Sequence, residues 1–161
     1  MKADAAFNQG LHFYAARNFV RATECFTDAL RDNPENVNYY YYRGVCFQEM
    51  GDTQKAISDY SKALLRQPSV SAILNNRAEL FLESGDSDNA LADYAAILSS
   101  DKAEDAHWRA LAFMGRGLIS LGEGRVEEAI SDMSSAEDLA KKEGDKLLLA
   151  RIGDELERSG F

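Results

Sequence analysis

The chain has little proline, cysteine, histidine or tryptophan: Pro34 and Pro68, Cys25 and Cys46, His12 and His107, and Trp108 alone. It also has no long apolar run, which excludes a helix able to cross a membrane. The start Met1-Lys2-Ala3-Asp4 leads directly into an amphipathic pattern, where a secretory signal would show an apolar segment. Together these features point to a cytoplasmic protein. Neither cysteine has a second one within metal-ligand spacing, so both read as reduced thiols and not as a disulfide or zinc site. The histidines are far apart, and His107 beside Asp105 reads as a surface residue near a helix start. Cys46 has no histidine nearby in sequence to activate it, and no glycine motif for cradling phosphate is present. No enzyme activity, cofactor or metal is expected.

Charge of one sign is also missing where a nucleic acid would need it. The net charge is −9. Residues 1–80 carry nine basic and nine acidic side chains, whereas residues 81–161 carry nine basic and eighteen acidic ones. The whole excess therefore lies in the second half. Such a surface repels phosphate backbones and anionic headgroups, which argues against binding to nucleic acid or to a membrane surface.

What is present is a repeat. At one constant offset, Gly44, Phe47, Ala56, Tyr60, Ala63 and Pro68 stand over Gly10, Phe13, Ala22, Phe26, Ala29 and Pro34, each 34 positions earlier. A fixed period of this size marks a stacked repeat protein. Apolar residues at three- and four-residue steps predict helices near residues 3–16, 19–32, 37–50, 53–66, 70–84 and 87–99. Asn33-Pro34 and Gln67-Pro68 stop two of them, because proline cannot continue a helix. Gly51-Asp52 and Gly85-Asp86 separate the members of a pair.

The fourth unit departs from the period. Trp108, Leu111 and Ala112 keep the same offset from Leu74, Arg77 and Ala78. Gly124, Ala129, Met133 and Ala136, however, stand 39 positions after Gly85, Ala90, Tyr94 and Ile97. An insertion of about five residues therefore falls within the first helix of this unit or just after it, giving helices near residues 103–121 and 125–142. A last helix near 146–159, apolar at Leu148, Ile152 and Leu156, reads as a cap that shields the end of the stack. The whole chain, residues 1–161, is expected to form one all-α domain, with repeats at about 3–36, 37–70, 71–102 and 103–143.

Small residues recur where helices would cross: Gly10, Gly44 and Ala78 on first helices, and Ala22, Ala56, Ala90 and Ala129 on second ones. A larger side chain there would push the axes apart. With Tyr40, Gly44, Phe47, Gly51, Ala56, Tyr60, Ala63 and Pro68 at the key places, the pattern over about residues 2–143 resembles the tetratricopeptide repeat family. Departures are Arg43 where a leucine is usual, Lys102 for the third closing proline, and the enlarged fourth unit. The resemblance implies a right-handed α-superhelix, a solenoid of antiparallel helix pairs, whose first helices line a concave groove that binds a segment of another protein.

By the family's arrangement, the groove-facing residues are Asp4, Phe7, Leu11 and Tyr14 in the first unit. In the second they are Asn38, Tyr41, Tyr42, Val45 and Glu49, and in the third Asn75, Asn76, Glu79, Leu82 and Glu83. The fourth unit allows two registers, Arg109, Ala110 and Phe113 or Met114, Leu118 and Leu121. Aromatics dominate one half and acids the other. The expected ligand therefore carries apolar or aromatic anchors beside Phe7, Tyr14, Tyr41 and Tyr42, and Lys or Arg beside Glu49, Glu79 and Glu83.

One subclass of the family grips a C-terminal carboxylate of chaperones with lysines, asparagines and an arginine. Its five places fall here on Phe7, Leu11, Tyr42, Ala72 and Asn76, none of which matches, so that ligand is disfavoured. The function expected is a scaffold or adaptor. The alternatives are a self-associating structural subunit, with another copy in the groove or at the Phe161 end, and the docking module of a larger multidomain protein.

Overall fold

The computed structural model describes residues 2–102 and 105–158. Among them lie nine α-helices: α1 Lys2–Ala15, α2 Phe19–Asp32, α3 Val37–Glu49, α4 Thr53–Arg66, α5 Ser71–Glu83, α6 Ser87–Leu98, α7 Ala106–Gly122, α8 Val126–Glu143 and α9 Lys146–Arg158. The expected helix start at Ala103, the expected end at Ser159 and the suggested contact end at Phe161 lie outside the described residues. The helices fall into two compact units, residues 1–80 and 81–161. The boundary coincides with the point where the charge changes from balanced to acidic.

In the first unit the helix starts are fixed by side chains that accept the otherwise orphaned N–H groups. Asn18, Asn36 and Asp52 accept from the backbone of Arg21, Asn38 and Lys55. Pairs α1–α2 and α3–α4 close over Ala22, Phe26, Ala29, Ala56, Tyr60 and Ala63, all sealed from solvent. The crossings are as tight as the small residues imply. A Cβ on Gly10 would lie 2.5 Å from the Phe26 ring, and one on Gly44 would lie 2.7 Å from the Tyr60 ring.

Arg17 stands where later pairs have Gly51, Gly85 and Gly124, and like them it has a positive φ, 56° against 75–78°. A side chain in this left-handed conformation costs about 1–2 kcal/mol. Glycine's larger loss of backbone freedom on folding offsets roughly 0.5–1 kcal/mol of that. The exposed ion pair that Arg17 makes with Glu49 is worth about 0–1 kcal/mol. Arg17→Gly should therefore raise stability by about 0.5 kcal/mol, or roughly 1–2 °C in Tm. A fall in Tm that disappears at high salt would mean that the ion pair outweighs the strain.

In the second unit the enlarged pair resolves itself. Helix α7 has 17 residues and α8 has 18, against 12 in α6. The two run antiparallel, so one extra turn at the start of α7 lies beside one extra turn at the end of α8. The added residues thus fall within α7, in its first turn, ahead of the helix crossing. A Cβ on Gly117 would meet Asp132 and Met133. Met133 follows Gly117 at the same separation as Phe26 follows Gly10 and Tyr60 follows Gly44. Gly117 is therefore the crossing residue, the counterpart of Ala78 in the longer frame. Helix α9 packs Leu148 and Ile152 against Ala136 and Ala140 on the lengthened end of α8. Asp145 starts α9 by accepting from the Leu148 N–H, and its other carboxylate oxygen lies 2.8 Å from His107 Nδ1.

Candidate functional site

Helices α1 and α3 place the aromatic residues of the first unit side by side. The Tyr42 ring lies 5.6 Å from Phe7, 5.9 Å from Tyr14, 5.9 Å from Phe26 and 5.2 Å from Tyr41. These are tilted or edge-on arrangements, each worth about 0.5–1.5 kcal/mol beyond area burial. Phe26 is the sealed base of this cluster. Phe7, Leu11, Tyr14, Tyr41, Tyr42 and Val45 all keep part of their surface open. The four consecutive tyrosines divide as helical geometry demands. Tyr39 is buried against Phe7 and donates to Asp4, and Tyr40 is buried beneath the guanidinium groups of Arg43 and Arg66. Tyr41 and Tyr42 are half-buried and keep part of their surface open.

Beside the aromatics runs a polar thread. The Tyr60 hydroxyl donates to Gln48 Oε1 at 2.7 Å and accepts from Asn76 Nδ2 at 3.5 Å. Burial pushes the Tyr60 and Tyr41 phenols above their ordinary range, with the Asn76 amide opposing in both cases. Both stay protonated and able to donate at neutral pH. Asn76 is half-buried, with its amide nitrogen directed to the hydroxyl of the sealed Tyr60. Gln48 had no sequence signal of its own, because its role depends on a hydroxyl one helix away.

The remaining residues named from sequence are placed differently. Asn75 is 4% exposed, and Glu49 is engaged by Arg17 at 3.0 Å. Glu79 is half-buried, and the exposed Glu83 belongs to the second unit. The structure thus brings together Phe7, Leu11, Tyr14, Tyr41 and Tyr42, with Asn76 joined to them through Tyr60, while Val45 is half-buried on the same helix as Tyr41 and Tyr42. In the second unit the Gly117 crossing selects the register in which Met114, Leu118 and Leu121 follow the pattern of Tyr41, Val45 and Gln48. Of these, Met114 is buried in the core of the second unit, and Leu118 and Leu121 are half-buried.

Both cysteines are free thiols, and burial pushes Cys46 up to about 12, which keeps it protonated at neutral pH. Among the described residues no helix is long and apolar enough to cross a membrane, and no group of three or more His, Cys, Asp or Glu side chains could hold a metal ion.

Comparison with known proteins bears on this geometry. The tetratricopeptide repeat pattern matches residues 37–70, and a second tetratricopeptide repeat pattern matches residues 7–48. Hsp70-Hsp90 organizing protein 1 of Glycine max is 26% identical over 69 residues, which cover 43% of this chain and 12% of that protein. Among solved structures, MamA superposes with a TM-score of 0.80 at 17% identity over 88% of this chain and 80% of its own. YrrB, described as a TPR protein with an unusual peptide-binding site, gives 0.76 at 21% identity over 94% and 74%. Residues 41 to the end of MamA from Desulfovibrio magneticus RS-1 give 0.76 at 22% identity over 99% and 97%. At these identities the structural likenesses speak to the fold.

Proposed function

The chain belongs to the tetratricopeptide repeat family, and on that basis we propose that it is a non-catalytic protein–protein interaction module, a scaffold or adaptor that holds a peptide segment of a partner against α1 and α3. One observation carries the reading: Phe7, Leu11, Tyr14, Tyr41 and Tyr42 stay partly open in one cluster built over a sealed Phe26. Tyrosine suits this role, since it offers a large rigid contact with a polar tip at low entropic cost. The half-buried Asn76 amide adds polar hydrogen-bonding capacity for a ligand backbone.

The ligand carries apolar or aromatic anchors, with a cationic residue favoured by the Glu79 carboxylate, one turn from Asn76 on α5. The kinship with a chaperone-organising protein does not extend this to chaperone tails. That match covers a small part of the relative, and Phe7, Leu11, Tyr42 and Ala72 provide no cation for a terminal carboxylate.

Tyr41→Ala should weaken the best peptide from an array about tenfold, or ~1.4 kcal/mol, with helix content unchanged by circular dichroism. Basic apolar peptides should bind more weakly as salt rises. Equal recovery of the partner from its native source by a Tyr41→Ala plus Glu79→Ala double variant would overturn the reading.

A further inference from the structure

The second unit holds a cleft that the aromatic surface does not account for. It measures about 370 Å³ and is lined by Leu82, Ser87, Leu118, Ile119, Gly122 and Glu123. Its place in the repeat is informative. Leu118 is the counterpart of Glu79 and Val45 in the earlier units, and Leu82 is the counterpart of Gln48, so the cleft occupies the ligand-facing register of its own helices. Leu82 and Leu118 are half-buried, and Ile119 forms a buried floor. A Cβ built on Gly122 would meet nothing within 4 Å, so one side of the cleft is open because a side chain is missing. The volume is at the small end for a ligand site and suits one or two aliphatic side chains.

The charge around the cleft states what would sit beside them. The exposed Glu123 lines it, Glu83 follows the lining residue Leu82 in the chain, and Asp86 caps α6 one residue before Ser87. Arg125 is the opposing cation; it pairs with Glu123 at 2.5 Å and reaches Glu128 at 3.6 Å. The balance remains acidic, as it does for the unit as a whole.

We propose that this cleft is a second binding subsite, taking a leucine-type side chain flanked by lysine or arginine from a segment of a partner protein. The proposal rests on the peptide-binding reading of the repeats and adds to it a site with its own chemistry. An apolar cleft buries the aliphatic anchor, and the carboxylates attract the flanking cations and reject acidic sequences.

The test uses the full chain, isotope-labelled for NMR, with a short peptide alternating leucine and lysine as probe. Its counterparts have serine for leucine or glutamate for lysine. The leucine–lysine peptide should shift the Gly122 amide and the Leu118 methyl signals, and neither counterpart should do so. Gly122→Leu fills the cleft at a helical position with room for the side chain, so it should weaken this binding at least tenfold while Tm does not fall. Tyr41→Ala should leave the Gly122 shifts unchanged.

Shifts confined to Tyr41, Tyr42 and their neighbours would overturn the second subsite and leave the proposed function standing, whereas no shift at either place would sink both. Undiminished binding by Gly122→Leu, equal binding of the glutamate peptide, or Gly122 shifts that track the protein's own concentration would each overturn the subsite.

Discussion

Arg43→Leu should destabilise the protein by about 3 kcal/mol, a fall of roughly 6–12 °C in Tm for a chain of this size, although leucine is the residue the repeat pattern usually has there. The Arg43 guanidinium donates from Nε to Asp59 Oδ2 at 2.6 Å and from Nη2 to Oδ1 at 2.8 Å, and from Nη1 to Thr27 at 3.0 Å. One side chain on α3 thus ties α2 to α4. The Asp59 side chain is 3% exposed, and its other cation, Lys62, is half in solvent at 3.9 Å. Removing Arg43 would leave a buried carboxylate without its two charge-assisted bonds, and that desolvated charge sets the size of the loss.

The double variant Arg43→Leu, Asp59→Leu removes the stranded charge, so it should lose less than Arg43→Leu alone. Denaturant unfolding of all four proteins gives the coupling. Additive losses would mean that Asp59 is adequately solvated without Arg43. The motif recurs, since Arg77 donates to Ser61 at 2.9 Å as Arg43 does to Thr27, and Arg116 grips Asp132 with two bonds of 2.7 Å as Arg43 does Asp59. The separation in the chain is the same in every case. The arginine thus works with an aspartate sixteen positions later on the neighbouring helix.

Along α7 three glycines should respond to alanine with different sign and size. Gly115→Ala places a Cβ 2.4 Å from Tyr94 Cζ and 2.5 Å from its hydroxyl, and that ring is 2% exposed. The ring has nowhere to go, so the helix must move. Overpacking of this kind costs about 1–3 kcal/mol, and the better helix propensity of alanine returns at most about 1 kcal/mol. We expect a net loss near ~2 kcal/mol, or roughly 4–8 °C. Gly122→Ala meets no atom and should gain a few tenths of a kcal/mol from propensity, reduced because it ends the helix. Gly117→Ala, with contacts at 3.3–3.4 Å, should fall between the two. Thermal unfolding of the three variants checks the order. An equal effect at all three would mean that propensity alone is being read and that the Tyr94 approach is not a constraint.

These two results mark where sequence reasoning reaches and where it stops. Helix positions were legible because their causes are local. Prolines after Asn33 and Gln67, glycines at 51, 85, 124 and 144, and capping Asn and Asp side chains act within a few residues. The predicted ranges for α2 and α4 match the observed ones to the residue. The split of the tyrosine run was legible too, since it follows from the helical period and the repeat frame.

The enlarged pair was not, because a sequence offset locates an insertion only to within the stretch where two frames compete. It took the contact of Gly117 with α8 to choose between them. Nor could the sequence say that Glu49 would be held by Arg17, that Asn75 would be buried, or that Arg43 and Asp59 would close on each other from different helices. Local chemistry in the sequence by itself determined the nine helices and the repeat. The arginine ties and the leucine-lined cleft were decided by the tertiary structure alone, because burial and charge pairing depend on which side chains the packing of separate helices brings within a few ångströms.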